Sequence, residues 1–264
     1  DIEGGINGFK YAPDQTKILY TKDVKLDQTV NELHPDLPKD VARIETDLMY
    51  RHWDEWHDYA YSHVFIADYD GKSLSNSIDI MEGERYDTPM KPFGGMEHVN
   101  WSPDSKEVTY TCKKMVGKEY TLSTNSAIYI YNLESKETKN ITKGLKGYDV
   151  SAVYSPDGKM IAWESMERDG YESDQNRLFI MNLETGERKD YTADFDQDVH
   201  GLNWTEDSKS IYFVSDWHAR FDIYNLNVET GKINKITEGV HNYRSVHPYG
   251  DQLIGTKQSM TKPT

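Results

Sequence analysis

The sequence predicts an all-β chain made of repeated four-stranded antiparallel sheets, and three observations support this fold class. A short phrase of an aromatic residue, a small residue, proline and aspartate recurs along the 264 residues. Each copy is followed by alternating apolar residues, the period of a half-buried strand. A second phrase, close to Asn-Leu-Glu-Thr-Gly, closes several of the units. Units of roughly 40–50 residues with this content are typical of a β-propeller.

The first phrase has the chemistry of a tight turn. Proline fixes φ at the second corner, and serine and aspartate side chains bond to neighbouring backbone groups. We expect the aromatic ring to lie between neighbouring sheets and the next strand to be buried. The four copies are Tyr11-Ala-Pro-Asp14, Trp101-Ser-Pro-Asp104, Tyr154-Ser-Pro-Asp157 and Trp204-Thr-Glu-Asp207, and the strands after them carry Ile18/Tyr20, Val108/Tyr110/Cys112, Ile161/Trp163 and Ile211/Phe213.

The second phrase predicts a hairpin between the third and fourth strands, with glycine where φ is positive. Thr142, Thr192 and Thr237 are expected to mark the end of the fourth strand. We therefore predict one partial or truncated propeller over 1–264, with about four blades and part of a fifth. Its bare sheet edges predict a homodimer. The predicted blades are 6–95, 96–146, 147–197, 198–240 and the partial 241–264.

The first unit contains an insertion, which we place at residues 23–62. Connections longer than about 12–15 residues are usually functional or disordered, so this segment is the first place to look for a site. We expect it to be partly helical. Residues 35–38 resemble a helix start, and Val41, Ile44 and Leu48 are spaced to share one helical face.

The stretch 49–59 of this insertion concentrates tryptophan, histidine and acidic residues. Adjacent carboxylates flanked by tryptophans are able to hold a cationic or amino group, the acids by ion pairing and the rings by cation–π contact. We therefore predict a substrate-binding role for five residues of the run, Arg51, Trp53, Asp54, Glu55 and Trp56.

Two other interpretations of this stretch stay open. His52, His57 and His63 are metal-ligand types, but His52 and His57 lack the spacing of a pair on one helical face. Alternatively, the segment only packs the insertion onto its sheet and leaves its charges in solvent. We predict neither a metal nor a cofactor for this chain.

Composition excludes some classes of function. The net charge of −15 opposes nucleic-acid binding, which requires a basic surface. No apolar run is long enough to cross a bilayer. The single cysteine, Cys112, is expected in the core and rules out an intrachain disulfide.

Several short motifs are absent or incomplete. No Gly-x-Ser-x-Gly nucleophile elbow is present. Asp194, Asp196 and Asp198 resemble the start of a calcium loop, but the glycine and the closing glutamate of that loop are missing. Tyr171 and the run 216–220 occupy equivalent loops of successive units. We interpret these loops as plain turns, with lining of the propeller mouth as the alternative.

These phrases resemble the propeller repeats of the prolyl oligopeptidase family, and Ser215-Asp-Trp-His-Ala-Arg-Phe-Asp-Ile-Tyr224 adds to the likeness. The run from Leu48 to Trp53 and the strand Ser62-His-Val-Phe-Ile-Ala-Asp68 are similar to the dipeptidyl-peptidase and acylaminoacyl-peptidase branch. In that family the propeller precedes an α/β-hydrolase domain holding serine, aspartate and histidine, and it admits only short peptides. Acidic propeller residues of dipeptidyl peptidases hold the substrate amino terminus, and Asp54 and Glu55 resemble such a pair.

The resemblance implies a non-catalytic propeller portion of a secreted or periplasmic serine exopeptidase. Its hydrolase domain would follow Thr264, short peptides would be its partners, and the chain itself would be catalytically silent. The chief alternative is a non-enzymatic scaffold for protein–protein interaction, like the propeller of the Tol system. A carbohydrate-processing propeller is a third possibility and would require carboxylates that converge at the central funnel.

Overall fold

The computed structural model describes Ile2 and residues 4–263, and most of its regular structure is β-strand. Three sheets have four strands in simple antiparallel order, and a six-stranded sheet adds a hairpin to the same pattern. The first sheet and the segment inserted in it contain β1 (Gly8–Tyr11), β2 (Lys17–Lys25), α1 (Val30–Leu33), β3 (Arg51–His52), β4 (Glu55–Trp56), β5 (Ala60–Tyr69) and β6 (Leu74–Asp79).

The second, third and fourth sheets repeat the four-strand unit. Neither α-helix in the described residues is long and apolar enough to cross a bilayer. After a 3₁₀ turn at Met96–His98, the elements are β7 (Val99–Trp101), β8 (Glu107–Cys112), α2 (Gly117–Leu122), β9 (Ala127–Asn132), β10 (Thr138–Asn140), β11 (Asp149–Tyr154), β12 (Met160–Ser165), β13 (Arg177–Asn182), β14 (Arg188–Asp190), β15 (His200–Trp204), β16 (Ser210–Trp217), β17 (Arg220–Asn227), β18 (Ile233–Lys235), β19 (Asn242–Tyr249) and β20 (Gln252–Gln258).

The strand order gives the domain two different ends. Because consecutive strands of each sheet run antiparallel, the first-to-second and third-to-fourth connections lie together, at what we call the turn end. The second-to-third connections and the links between sheets lie at the opposite end, the loop end. The repeated turns therefore occupy the turn end, whereas the insertion lies at the loop end.

The Pro-Asp turns form as the sequence predicts. In the third sheet, the Gly158 N–H donates to the Ser155 carbonyl at 2.9 Å, and Ser155 Oγ donates to Asp157 Oδ1 at 2.7 Å. The side-chain bond holds the aspartate against the corner of the turn. Two further copies repeat it at 2.7 Å, in the pairs Ser102–Asp104 and Thr205–Asp207.

The aromatic residue of the phrase fastens one sheet to the sheet before it. Trp101 Nε1 donates to the Lys10 carbonyl of the first sheet at 3.2 Å. Trp204 Nε1 donates to the Val153 carbonyl of the third sheet at the same distance. The predicted place of these rings between neighbouring sheets is therefore confirmed.

Each boundary between consecutive sheets has its own apolar cluster, so the sheets stack face to face as propeller blades do. The predicted buried strands supply many of these residues. Cys112 is fully buried, as predicted, and burial raises the pKa of its thiol to about 12. Along the chain the boundaries contain Leu19/Val64/Val108/Tyr110, then Ile128/Ile161/Trp163, then Leu178/Phe213/Leu226, and finally Val214/Ile223/Val246.

The hairpin of β19 and β20 forms one parallel backbone pair with the fourth sheet, Phe221 with Asn242. A single parallel pair, Ser126 and Tyr148, also connects the second and third sheets. The hairpin thus stands beside the fourth sheet. Within the described residues, β20 pairs only with β19.

Two expectations for the insertion are wrong. Strands β2 and β5 pair from Lys17 with Asp68 to Lys25 with Ala60, so the inserted segment is 26–59 rather than 23–62. The residues expected on a helical face, Val41, Ile44 and Leu48, are instead exposed and lie outside any helix or strand.

Local hydrogen bonds explain where the helix forms. Asp40 Oδ1 accepts the Ala42 N–H at 2.8 Å, the bond that a helix N-cap makes, but no helix follows it in residues 41–50. The one helix of the segment, α1, begins after Thr29, whose backbone N–H donates to Glu32 and whose side chain accepts from the Glu32 N–H. This capping box is visible in the sequence as Thr-x-x-Glu.

Candidate functional site

The predicted binding residues lie on a small hairpin at the loop end. Strands β3 and β4 pair Arg51 with Trp56 and His52 with Glu55, leaving a two-residue turn of Trp53 and Asp54. Trp53 adopts a positive φ of 48°, which this tight turn requires. Both acids of the hairpin are exposed, and so are its two indole rings, with Trp53 66% and Trp56 47% exposed.

Aromatic and cationic groups hold the hairpin from both sides. The ring of Trp53 lies 4.8 Å from that of His52 and 5.3 Å, edge-on, from that of Phe93 in the link to the second sheet. On the other side, the Arg43 guanidinium lies 5.4 Å from the Trp56 ring centroid. The hairpin is therefore fixed by its rings rather than by its acids.

The two carboxylates of the hairpin are available to a ligand. Asp54 and Glu55 are both exposed, and within residues 4–263 neither carboxylate forms an ion pair or a hydrogen bond. The Arg51 guanidinium lies 5.8 Å from the Trp56 ring instead of bonding to these acids. An incoming ammonium would therefore not have to displace a resident cation.

A cleft of about 980 Å³ opens beside the hairpin, between the insertion and the link that follows the first sheet. All five predicted residues line it. Its wall also includes Tyr120 of α2, so the second sheet contributes to the same space. A volume of this size is within the range of small-molecule and peptide sites.

The cleft wall contains a cluster of acidic side chains that the sequence did not indicate. Lys91 lies 3.3 Å from Asp87 Oδ1, with Asp23 and Asp58 close enough to act on its charge. Burial lowers the pKa of Lys91, but the three carboxylates outweigh burial and raise it overall. This cluster of carboxylates therefore already holds a cation, the Lys91 ammonium group.

A second ion pair closes the cleft wall near α1. Asp27 accepts from Arg85 Nε at 2.9 Å and from Tyr61 Oη at 3.1 Å. Burial, with the Asp27 charge next in importance, raises the pKa of Tyr61 to about 12. These partners come from three separate segments, so no local motif could have indicated them.

The three histidines considered for a metal are not brought together. His63 is fully buried, with Nδ1 at 2.7 Å from Asp79 Oδ2 and Nε2 at 2.8 Å from the Glu84 carbonyl. His57 Nδ1 accepts the Tyr59 N–H. His52 contacts Trp53, so the histidines serve three unrelated environments.

The remaining candidate loops also lie at the loop end. Tyr171 is 47% exposed, and its ring lies 4.1 Å from the Arg168 guanidinium. Trp217 is 42% exposed and stands against His218 at 4.5 Å. Of the three aspartates that resemble a calcium loop, Asp198 accepts the Asn176 N–H at 2.7 Å.

Comparison with known proteins identifies the family. Residues 45–263 match the family described as PD40, the TolB beta propeller domain. The chain belongs to this family. The predicted propeller fold and the resemblance to peptidase propellers are therefore confirmed.

One curated relative, dipeptidyl-peptidase 5 of Porphyromonas gingivalis, is 46% identical over 260 residues and 98% of this chain. The chain covers 38% of that relative, and thus spans less than two fifths of the length of the protein it matches. Among solved structures, Pyrococcus horikoshii acylaminoacyl peptidase superposes with a TM-score of 0.67 at 15% identity, covering 98% of this chain and 36% of that one. A putative TolB of Agrobacterium tumefaciens gives 0.57 at 16% identity, covering 97% and 71%.

Proposed function

We propose that this PD40 chain is the propeller portion of a serine exopeptidase of the dipeptidyl-peptidase type, and that it orients short peptides by their free amino terminus. The observation that carries the proposal is the hairpin turn in the cleft, where the unpaired carboxylates of Asp54 and Glu55 lie between two exposed tryptophans. The relative named dipeptidyl-peptidase 5, which matches nearly the whole chain, supports the same activity for the parent protein.

The physical basis is selective pairing with an ammonium group. A peptide amino terminus is cationic near neutral pH and is able to form charge-assisted hydrogen bonds with both carboxylates. Trp53 adds a ring face that attracts the same cation, whereas the Trp56 ring already lies against Arg43 and Arg51. Fixing the amino terminus at a set distance from the reacting bond would define which peptide bond is cleaved.

The test is Asp54→Asn with Glu55→Gln in the full-length parent enzyme. We expect kcat/KM for free-amine dipeptide substrates to fall about ten- to a hundredfold, the worth of charge-assisted hydrogen bonds. Substrates with a blocked amino terminus should be nearly unaffected. Equal losses for both substrate classes would refute the amine-anchoring role.

A matched control removes the same charge elsewhere. Asp36→Asn with Glu82→Gln also neutralises two exposed acids, and neither residue lines the cleft. The control should keep the substrate preference of the unmodified enzyme. A change that appears in both double variants would come from the lost net charge and not from the cleft.

A non-enzymatic scaffold is the second candidate. The likeness to a putative TolB, of which this chain covers 71%, favours it. Incubating the full-length protein with short peptides, with and without a serine-directed reagent, separates the two candidates. Reagent-sensitive hydrolysis supports the peptidase, and its absence supports the scaffold. The present chain alone should be silent under the first candidate.

Three finer points belong to the same proposal. We propose that β19 and β20 form the inner half of a fifth blade, after four blades with bounds near those predicted. We also propose that the parent protein is periplasmic or secreted.

The exposed edge of β20 is able to pair with a second copy of the chain. Light scattering of the chain should then detect a dimer, and cell fractionation checks the compartment.

A further inference from the structure

A second cluster of chemically active side chains lies at the loop end, on the fourth sheet. The ligand atoms of Asp198, His200 and Asp216 all lie within 4.8 Å of one another. His200 begins β15 and pairs with Val214 of β16, so continuing this register by two residues places Asp198 opposite Asp216. The cluster therefore joins two strands rather than one local loop.

The charges of this cluster are not balanced by the protein. Like charges that face each other across neighbouring strands are destabilising. In the described residues, neither Asp198 nor Asp216 forms an ion pair with lysine or arginine. Two carboxylates thus lie beside one imidazole without a basic partner, an arrangement that a divalent cation would stabilise.

The surrounding residues hold the cluster in place. The Asn176 N–H donates to Asp198 Oδ1 at 2.7 Å, and Asn176 Nδ2 donates to Glu164 Oε2 at 2.8 Å. The Val199 N–H donates to the Asn176 carbonyl at 2.9 Å, fixing the chain between Asp198 and His200. Such bonds orient ligands before a metal arrives.

Asn176 supplies an independent sign of a missing partner. This side chain is 95% buried, being 5% exposed, and its Oδ1 has no hydrogen-bond partner among the described residues. A buried acceptor without a donor is costly and calls for an explanation. The backbone N–H of the same residue donates to Asp198 Oδ1, so a cation bound at Asp198 would bring water into the neighbourhood of this amide.

We propose that Asp198, His200 and Asp216 form a binding site for a divalent transition-metal ion, Zn²⁺ in the first place. One imidazole and two carboxylates are ligand types that suit Zn²⁺, with a water at the fourth position. Ca²⁺ takes six to eight oxygen ligands and would find too few here. Zn²⁺ bonds of ~2.1 Å require ligand atoms closer together than 4.8 Å, so binding would need small rotations of the His200 ring and of the two carboxylates.

The test is calorimetric titration of the full chain with Zn²⁺, with Mn²⁺ and Ca²⁺ for comparison. We expect one Zn²⁺ per chain, bound more tightly than Ca²⁺. His200→Ala and Asp216→Asn should each weaken Zn²⁺ binding at least about tenfold, since even indirect ligand partners are worth that much. The visible spectrum of bound Co²⁺ should be lost in the same variants.

Two neighbouring variants serve as matched controls. His218→Ala removes an exposed imidazole two residues after Asp216, and Asp196→Asn removes an exposed carboxylate two residues before Asp198. Both should bind Zn²⁺ like the unmodified chain. Absence of Zn²⁺ binding, tighter binding of Ca²⁺, or equal weakening in controls and ligand variants would each overturn the proposal.

Discussion

The third sheet and the inserted hairpin each contain a tryptophan, an aspartate and a glutamate, but use them in opposite ways. In the third sheet, Trp163 and Asp149 are fully buried and joined by a 2.9 Å hydrogen bond. In the hairpin, Trp53, Asp54 and Glu55 are exposed, and their acids lack protein partners in the described residues. The same residue types therefore stabilise the fold where they are paired and remain available for a ligand where they are not.

The difference follows from the two ends of the sheets. Turn-end residues repeat because each sheet must meet the next in the same way, and Trp101 and Trp204 make equivalent bonds. Connections at the loop end do not have to repeat in this way, because they do not have to fit against a turn of the neighbouring sheet. Binding residues are commonly carried by loops on a rigid scaffold, and the hairpin proposed to bind the amino terminus lies on such a loop.

The largest effect should come from truncating the buried tryptophan. Trp163→Ala removes a fully buried ring, which also stacks on Phe179 at 5.6 Å, and should lower the free energy of unfolding by about 3–5 kcal/mol. Trp53→Ala should change it by no more than about 0.5 kcal/mol, because the side chain is 66% exposed. Urea denaturation of both variants checks this, and equal losses would erase the contrast between the two regions.

A pH-dependent effect should distinguish the buried aspartate from the exposed one. Burial raises the pKa of Asp149 to about 6, although bonds from Ser165 and Trp163 lower it. The folded state therefore keeps the Asp149 proton up to a higher pH than the unfolded state does. The free energy of unfolding accordingly falls as pH rises from about 4 to 6. The free energy of unfolding falls by about 3 kcal/mol over this window, because the pKa of Asp149 differs by roughly two between the folded and unfolded states.

Asp149→Asn should abolish this contribution to the pH slope. The measurement is the free energy of unfolding at several values between about pH 4 and 7, for the unmodified chain and for the variant. Asp54→Asn is the control from the hairpin, and it should retain the slope of the unmodified chain. A slope that survives in Asp149→Asn would show that another group causes it.

The sequence predicted the parts of the molecule that repeat. Alternating residues after each Pro-Asp turn, such as Ile161 and Trp163, form buried second strands because strand period and burial are local properties. The hairpin acids Asp54 and Glu55 could be singled out because they are adjacent in the chain, and both line the cleft, but their binding role stays a prediction. The helix expected through Ile44 did not form, and the exposure of Val41, Ile44 and Leu48 shows that no apolar surface packs against the face they would share.

Sites assembled from distant segments were not predictable in this way. Asp23, Asp58 and Asp87 meet around Lys91 only after the insertion folds back on the first sheet. Asp198 attracted notice as part of a calcium-like run, but its partner Asp216 is determined by strand register. Register depends on pairing across the whole sheet, which spacing within one segment does not reveal.

The smallest effect tests a repeated hydrogen bond. Thr192 Oγ1 accepts the Leu178 N–H at 2.8 Å, and Thr142 and Thr237 do the same for the third strands of their sheets. Thr192→Val keeps the shape but leaves a buried N–H unpaired, which should cost about 1–3 kcal/mol.

The matched variant is Thr185→Val on the exposed hairpin of the same sheet, where Thr185 Oγ1 accepts the Glu187 N–H at 3.2 Å. Water is able to replace that bond, so the change should be within about 0.5 kcal/mol. If urea denaturation gave the same loss in the free energy of unfolding for both threonine variants, burial would not explain why some polar groups stabilise the fold and others do not. A loss confined to Thr192→Val would extend the contrast from tryptophan and aspartate to hydroxyl groups.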